Sequence, residues 1–260
     1  MTRVARSNLV SIIAIAIVAY AFSDTAHELL GHGVVAVLCG FKVSAVSSVG
    51  LQSVESSRLL SASGSIVNVL IAIICFPALR RRSRFGASGY FLWLLGFVSA
   101  MNGTFYLVVS AVLNQGDWAV VIAGLHPAWA WRVLMGVVGL ALYFVFLRWA
   151  VALIIRFIED RNLDRGDVAR LTVTAYVTGG VLMTMASVFN PFGRQLILMS
   201  GIGASFGLTW GLLLVAPIVE SRTKNSGPSE HLGFSLQWTS LAIITAVLFV
   251  GVFGPGIRFR

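Results

Sequence analysis

The chain of 260 residues is 57% hydrophobic and only 11% charged, with a mean hydropathy of +0.88. Soluble globular domains carry a charged share of about a quarter, so this composition excludes a water-soluble globule and places the chain in a lipid bilayer. The formal charge of +9 would suit nucleic acid, but the arginines fall in short clusters between apolar stretches, as in LRRRSR at 79–84, and not along one amphipathic face. They read as topology signals against anionic headgroups of the lipid bilayer, and no nucleic-acid partner is expected.

The first apolar run covers 8–40. A basic start, MTRVAR, followed by LVSIIAIAIVAYAF has the form of a signal peptide. SDTAHELLGHG and then VVAVLCGF follow directly, and cleavage near Ser23 would strand two histidines at a new terminus, so the segment is read as retained. At about 1.5 Å per residue its length makes about 50 Å of helix, against about 30 Å for a bilayer core. Residues 8–22 alone are short for a crossing. Either one long tilted helix carries the histidines in its second half, or the helix breaks at SDT and restarts, with Thr25 and Glu28 in the T-x-x-E spacing of a capping box.

The stretch FKVSAVSSVGLQSVESS at 41–57 alternates in part and predicts a short β-hairpin or an extended loop at the membrane surface. Further apolar segments follow at 59–79, 88–113, 129–156, 168–189, 195–219 and 236–254, most of them of single-crossing length. EDRNLDRGD at 159–167 reads as a solvated turn, and ESRTKNSGPSEHLG at 220–233 as the most flexible connection. There is no internal repeat of the kind that builds many transporters. Cys39 and Cys75 lie in apolar runs without metal or disulfide spacing and are expected to pack.

With a cytoplasmic N-terminus and a single first crossing, Arg3, Arg6, the 80–84 cluster, Arg156 to Arg170, Arg222 and Lys224 all fall on one side. The scheme has seven crossings. The expected class is therefore an all-α polytopic membrane protein of about 6–7 transmembrane helices with a short β-like segment after the first, integral and multi-pass in the plasma (inner) membrane.

AHELLGHG at 26–33 sets His27, Glu28 and His32 inside the first apolar run, where each ionisable side chain costs several kcal/mol unless paired, ligated or hydrated. In H-E-x-x-H zinc sites the histidines share a helix face at i and i+4, and the glutamate deprotonates the attacking water. Here the spacing is five. On a regular helix His27 and His32 stand about 140° apart, whereas Glu28 and His32 stand about 40° apart. Two ligand sets follow: both histidines, if the helix is widened by a π-bulge or unwound over Leu29 to Gly31, or Glu28 with His32, leaving His27 as base or supporting group. A third protein ligand is then required. Asp117 in NQGDWAVV suits best, because the third apolar segment ends on the same side as the histidines; His126 and His231, at a segment end and in the flexible connection, rank below it.

HELLGHG followed by SASGSIVNVLIAI at 61–73 resembles the site-2 protease family of intramembrane zinc metalloproteases and its smaller membrane-embedded relatives. In that family an H-E-x-x-H helix precedes a β-like segment, then a helix with a Gly-Pro-x-x-Asn-like signature, then a helix that brings an aspartate. Gly64, Ser65 and Asn68 stand at the second signature, with Ser65 where proline is usual, and Asn102 and Asp117 at the third. The resemblance spans about 20–120 and implies a metallopeptidase-like core over 1–120, with 121–260 adding helices to the same membrane domain. It implies His27, His32 and Asp117 as zinc ligands, Glu28 as the catalytic base, Asn68 as a hydrogen-bonding group for the substrate strand or transition state, and a membrane protein or peptide as substrate. The 41–57 segment would pair with that substrate as an added strand. Two other classes stay open: a metal-binding membrane protein that retains the ligands without turnover, and a proton or metal transporter lined by His27, Glu28 and Asp117.

Overall fold

The computed structural model describes residues 6–190, 203, 205–224 and 230–259. Six helical stretches among them are long and apolar enough to cross a membrane: Leu9–Leu38, Arg58–Arg80, Gly86–Leu113, Ala128–Glu159, Arg165–Val188 and Leu236–Phe253. The chain is an all-α polytopic membrane protein with one small sheet. Of the expected crossing at 195–219, residues 195–202 and 204 lie outside the described residues. Its remainder folds into two short helices, Ser205–Thr209 and Leu212–Arg222.

Helix α1 (Leu9–Thr25) begins at Asn8, whose side chain accepts from the Ser11 amide and so satisfies one of the helix's free donors. Its residues are apolar on every side, so it takes the centre of the bundle, among the helices Gly86–Leu113, Val168–Val188 and Leu236–Leu248. It does not restart at SDT. The chain stays helical through Ala26–Gly33, where the backbone follows the wider π ladder, and into α2 (Val34–Leu38). Thr25 has helical angles, φ −59° and ψ −38°, and its side chain caps nothing, which corrects the capping-box reading of Thr25 and Glu28. A capping box needs an extended first residue and free amides behind it, and an unbroken helix supplies neither.

The predicted hairpin forms. Strands β1 (Val43–Ser47) and β2 (Gly50–Ser53) pair antiparallel, with Val46 opposite Leu51, and the C-terminal β3 (Ile257–Arg258) adds to the other edge of β1. Helix α3 (Arg58–Arg80) starts at Ser57, which caps the Leu60 amide. It lies close against α4 (Gly86–Leu113) through small residues, as membrane helices do where no hydrophobic force drives them together. Helix α5 (Asp117–Ile122) is a single short turn-and-a-half after α4, and α6 (Ala128–Glu159) packs back along α4.

At the other end of the bundle, Arg156 donates to the carbonyls of Arg80 and Arg82, and Arg165 to that of Thr223. Buried Asp167, just before α7 (Val168–Val188), accepts from both the amide and the hydroxyl of Ser7 and meets His231 Nδ1 at 2.7 Å. The arginine-rich turns, the N-terminal end of α1 and the last connection are thus tied together at one end, as the charge pattern requires.

A Cβ at Gly103 of α4 would stand 2.8 Å from the Ser65 carbonyl oxygen of α3, which is backbone and cannot swing aside. Gly103→Val is therefore expected to destabilise the bundle by about 1–3 kcal/mol, the usual cost of overpacking. A denaturant midpoint in detergent equal to that of the parent would show that α3 and α4 separate freely.

Candidate metal centre

Within the π segment successive turns carry one residue more than an α-helix, so residues five apart in sequence come one above the other. His27 and His32 meet on that account, with ring centroids 4.9 Å apart and their Nε2 atoms 3.2 Å apart. The conditional expectation of a widened turn is what the structure has. The alternative set of Glu28 with His32 does not form: the group that could hold an ion is His27, His32 and Asp117.

The widening is supported from α3. A Cβ on Gly31 would lie 2.5 Å from Gly64 Cα, and a Cβ on Gly64 would lie 2.4 Å from His27 Nε2. The two glycines let the π segment and α3 touch, and the missing side chain at Gly64 makes the space that the His27 ring fills. His32, 6% exposed, donates from Nδ1 to the Leu60 carbonyl at 2.6 Å, and the Ser63 hydroxyl donates to the same oxygen. A carbonyl only accepts, so the proton of neutral His32 sits on Nδ1 and its Nε2 turns a lone pair toward the centre.

Asp117 arrives from α5. Asn114 closes α4 in the left-handed region and Gly116 follows at φ +79°, where a Cβ would also strike the Tyr106 hydroxyl at 2.3 Å. Three bonds then fix the short helix: the Asp117 amide donates to the Tyr106 hydroxyl, the Trp118 indole to Ser65 Oγ at 2.9 Å, and Arg58 to the Ala123 carbonyl at 3.0 Å. Ser65, at the position where the resembling family has proline, is an anchor for the element that carries Asp117. Asp117 Oδ2 stands 3.4 Å from His27 Nε2 and 3.3 Å from His32 Nε2. Burial alone would raise the Asp117 carboxyl, but the two imidazoles set against it outweigh burial and hold it below the usual carboxylate range. It is an anionic donor at neutral pH.

The three inward atoms form a triangle with edges of 3.2, 3.3 and 3.4 Å. Three corners of a tetrahedron around zinc, with bonds of about 2.0–2.1 Å, are separated by about 3.3–3.4 Å. The donor set therefore fits a divalent ion with its fourth position open.

Glu28 is 6% exposed and its Oε2 makes no hydrogen bond, while the carboxylate lies beside the Leu51 backbone of β2. It adjoins the triangle without belonging to it. Asn68 is placed against His27, with Nδ2 3.2 Å from His27 Nδ1, and is 1% exposed. It therefore faces the metal ligand from behind. Asn102 sits mid-α4, next to the Gly103 contact, and is not among the residues that hold the triad. His231 belongs to the Asp167 cluster instead.

The contacts of Leu60, Ser63, Tyr106 and Trp118 carried no sequence signal, since a backbone carbonyl is invisible there and a hydroxyl or indole in an apolar helix reads as packing.

Gly64→Ala is expected to push His27 off the triangle and to weaken metal binding at least about tenfold, the lower end of the effect of disturbing a ligand's support. A chelator competition assay that returned the parent's affinity would show that the ring has room to move. Neither a family model nor a curated protein nor a solved structure matches the chain, so the chemistry of the centre rests on its own geometry.

Proposed function

We propose that this chain is an intramembrane zinc metalloendopeptidase that hydrolyses a peptide bond of a membrane protein or membrane-bound peptide. The observation that carries the reading is the triangle of His27 Nε2, His32 Nε2 and Asp117 Oδ2 with a glutamate beside it whose Oε2 has no hydrogen-bond partner. Zinc bound there would supply a Lewis acid for the scissile carbonyl and make water nucleophilic at neutral pH. Two imidazoles and one carboxylate suit zinc better than hard oxygen-seeking cations.

In this reading Glu28 is the general base. Its free Oε2 accepts a proton from the attacking water and passes it to the departing amine, a role open to a carboxylate that no other side chain has claimed. The π segment that carries it also forms, with α2, one wall of an apolar cavity of about 640 Å³, shared with Phe41, Val43, Val46, Leu51 and Phe259. An apolar stretch of substrate fits such a wall. The outer edge of β2 pairs with no strand among the described residues, and Leu51 on it adjoins Glu28. An extended substrate strand added to β2 would bring its backbone toward the base. The resemblance of residues 20–120 to the site-2 protease family supports the same assignment, as does the run of apolar helices for a site within a membrane.

Purified protein is expected to hold about one zinc per chain, and His32→Ala to lose it. Glu28→Gln should keep the metal yet reduce cleavage of a model transmembrane substrate by about 10²–10⁴, the scale of a general base. Metal retained with cleavage never observed in the parent would assign the chain to binding without turnover, and zinc-dependent flux in liposomes would favour transport. Deleting residues 44–56 should lower cleavage while zinc stays bound, and unchanged cleavage would remove the added-strand idea.

A further inference from the structure

We propose that Asn68 is a positioning residue that sets the tautomer of His27, holding its Nδ1 proton so that Nε2 offers a lone pair to the ion. The inference rests on the metal-centre reading and revises the role expected of Asn68, which was contact with substrate.

The two imidazoles face the same chemical demand. Each must turn an unprotonated Nε2 inward, and a neutral imidazole then carries its one proton on Nδ1, where it needs an acceptor. For His32 the acceptor is the Leu60 carbonyl. For His27 the group behind Nδ1 is the Asn68 amide, with Nδ2 at 3.2 Å and Oδ1 buried without a partner. In that orientation the amide donates to Nδ1, puts the His27 proton on Nε2 and blocks the metal lone pair, while one buried oxygen goes unsatisfied. A half-turn about the Cβ–Cγ–amide axis exchanges the two atoms at the same place. Oδ1 then accepts from Nδ1–H and Nε2 is freed, while the amide nitrogen takes the place that Oδ1 held. The demand of the ligand, a bare Nε2 turned inward, selects this second orientation.

The neighbourhood leaves Asn68 this role. At 1% exposure it lies against His27 Nδ1, the ring nitrogen that does not face Asp117. One helix, α3, thereby supplies the outer partner of both imidazoles, from Leu60 in its first turn and from Asn68 two turns later.

The test is zinc affinity of the full-length protein by chelator competition. Asn68→Leu should weaken binding by about 10–100-fold, and Asn68→Asp, which keeps an acceptor oxygen there, should restore it to within a few-fold of the parent or tighten it. Unchanged or tighter binding in Asn68→Leu overturns the inference while leaving the peptidase reading intact. A parent chain without zinc overturns both. A second measurement needs no variant: in zinc-loaded protein with ¹⁵N-labelled histidine, His27 Nδ1 should be protonated, and a resonance showing Nδ1 bare overturns the proposal.

Discussion

The centre depends on one extra residue in one helical turn. Between His27 and His32 a regular helix would send the two imidazoles to different faces, and a membrane interior offers neither of them water. The π ladder over Ala26–Gly33 removes that difference, at the cost of a geometry that isolated helices rarely adopt. What offsets the cost is tertiary. The widened turn presses Gly31 onto Gly64 and lets His32 reach the Leu60 carbonyl, so contacts with α3 hold a backbone that the local sequence alone would not favour. Gly64 is therefore doubly constrained, by the helix that approaches it and by the ring that lies over it.

The electrostatics follow from the same contact. Three ionisable side chains, one buried and two half-buried, would be expensive in an apolar bundle if each were left alone. The outer nitrogens of the two histidines are covered by α3, and the inner atoms of all three are turned on one another: two ring nitrogens and a carboxylate oxygen, a set richer in lone pairs than in protons. A cation is the partner that satisfies all three at once. The ligands are unequally anchored. The histidines ride on the central helix, whereas Asp117 sits on a short, partly exposed one tied down by Tyr106, Ser65 and Arg58. Bound metal would complete that anchorage, coupling α5 to the core of the bundle.

Much of this was legible in the sequence because it obeyed local rules. Composition alone required a membrane protein, the partial Val and Ser alternation of 41–57 allowed a hairpin or an extended loop, and the five-residue spacing of His27 and His32 required a widened turn if both were to serve one ion. Asp117 followed from which end of its helix it occupied. The failures have a common cause. Thr25 and Glu28 match a capping box at the level of four letters, but capping is decided by whether the backbone before the threonine is extended, and here it is helical. The place of Asn68 behind His27 was not legible, because its burial and its neighbour are tertiary facts. The Leu60 carbonyl could not be found at all, since every residue has one and only the fold selects which is used.

The two ends of the bundle then differ in kind. One end is closed by charge and hydrogen bonding, with Arg156 on the carbonyls that end α3, and with Ser7 and His231 converging on Asp167. The other carries the triad, the hairpin and the apolar cavity, with an unpaired strand edge among the described residues. The arginine-rich turns thus stand at the C-terminal end of α3 and the triad at its N-terminal end. A peptide approaching Glu28 would come from the membrane plane along the apolar wall of the π segment and α2, since α3 and α4 close the other side of the ligands. The same helix that places the ligands thus also forms the wall along which a substrate would be admitted, and a change in the register of the π turn would move both together.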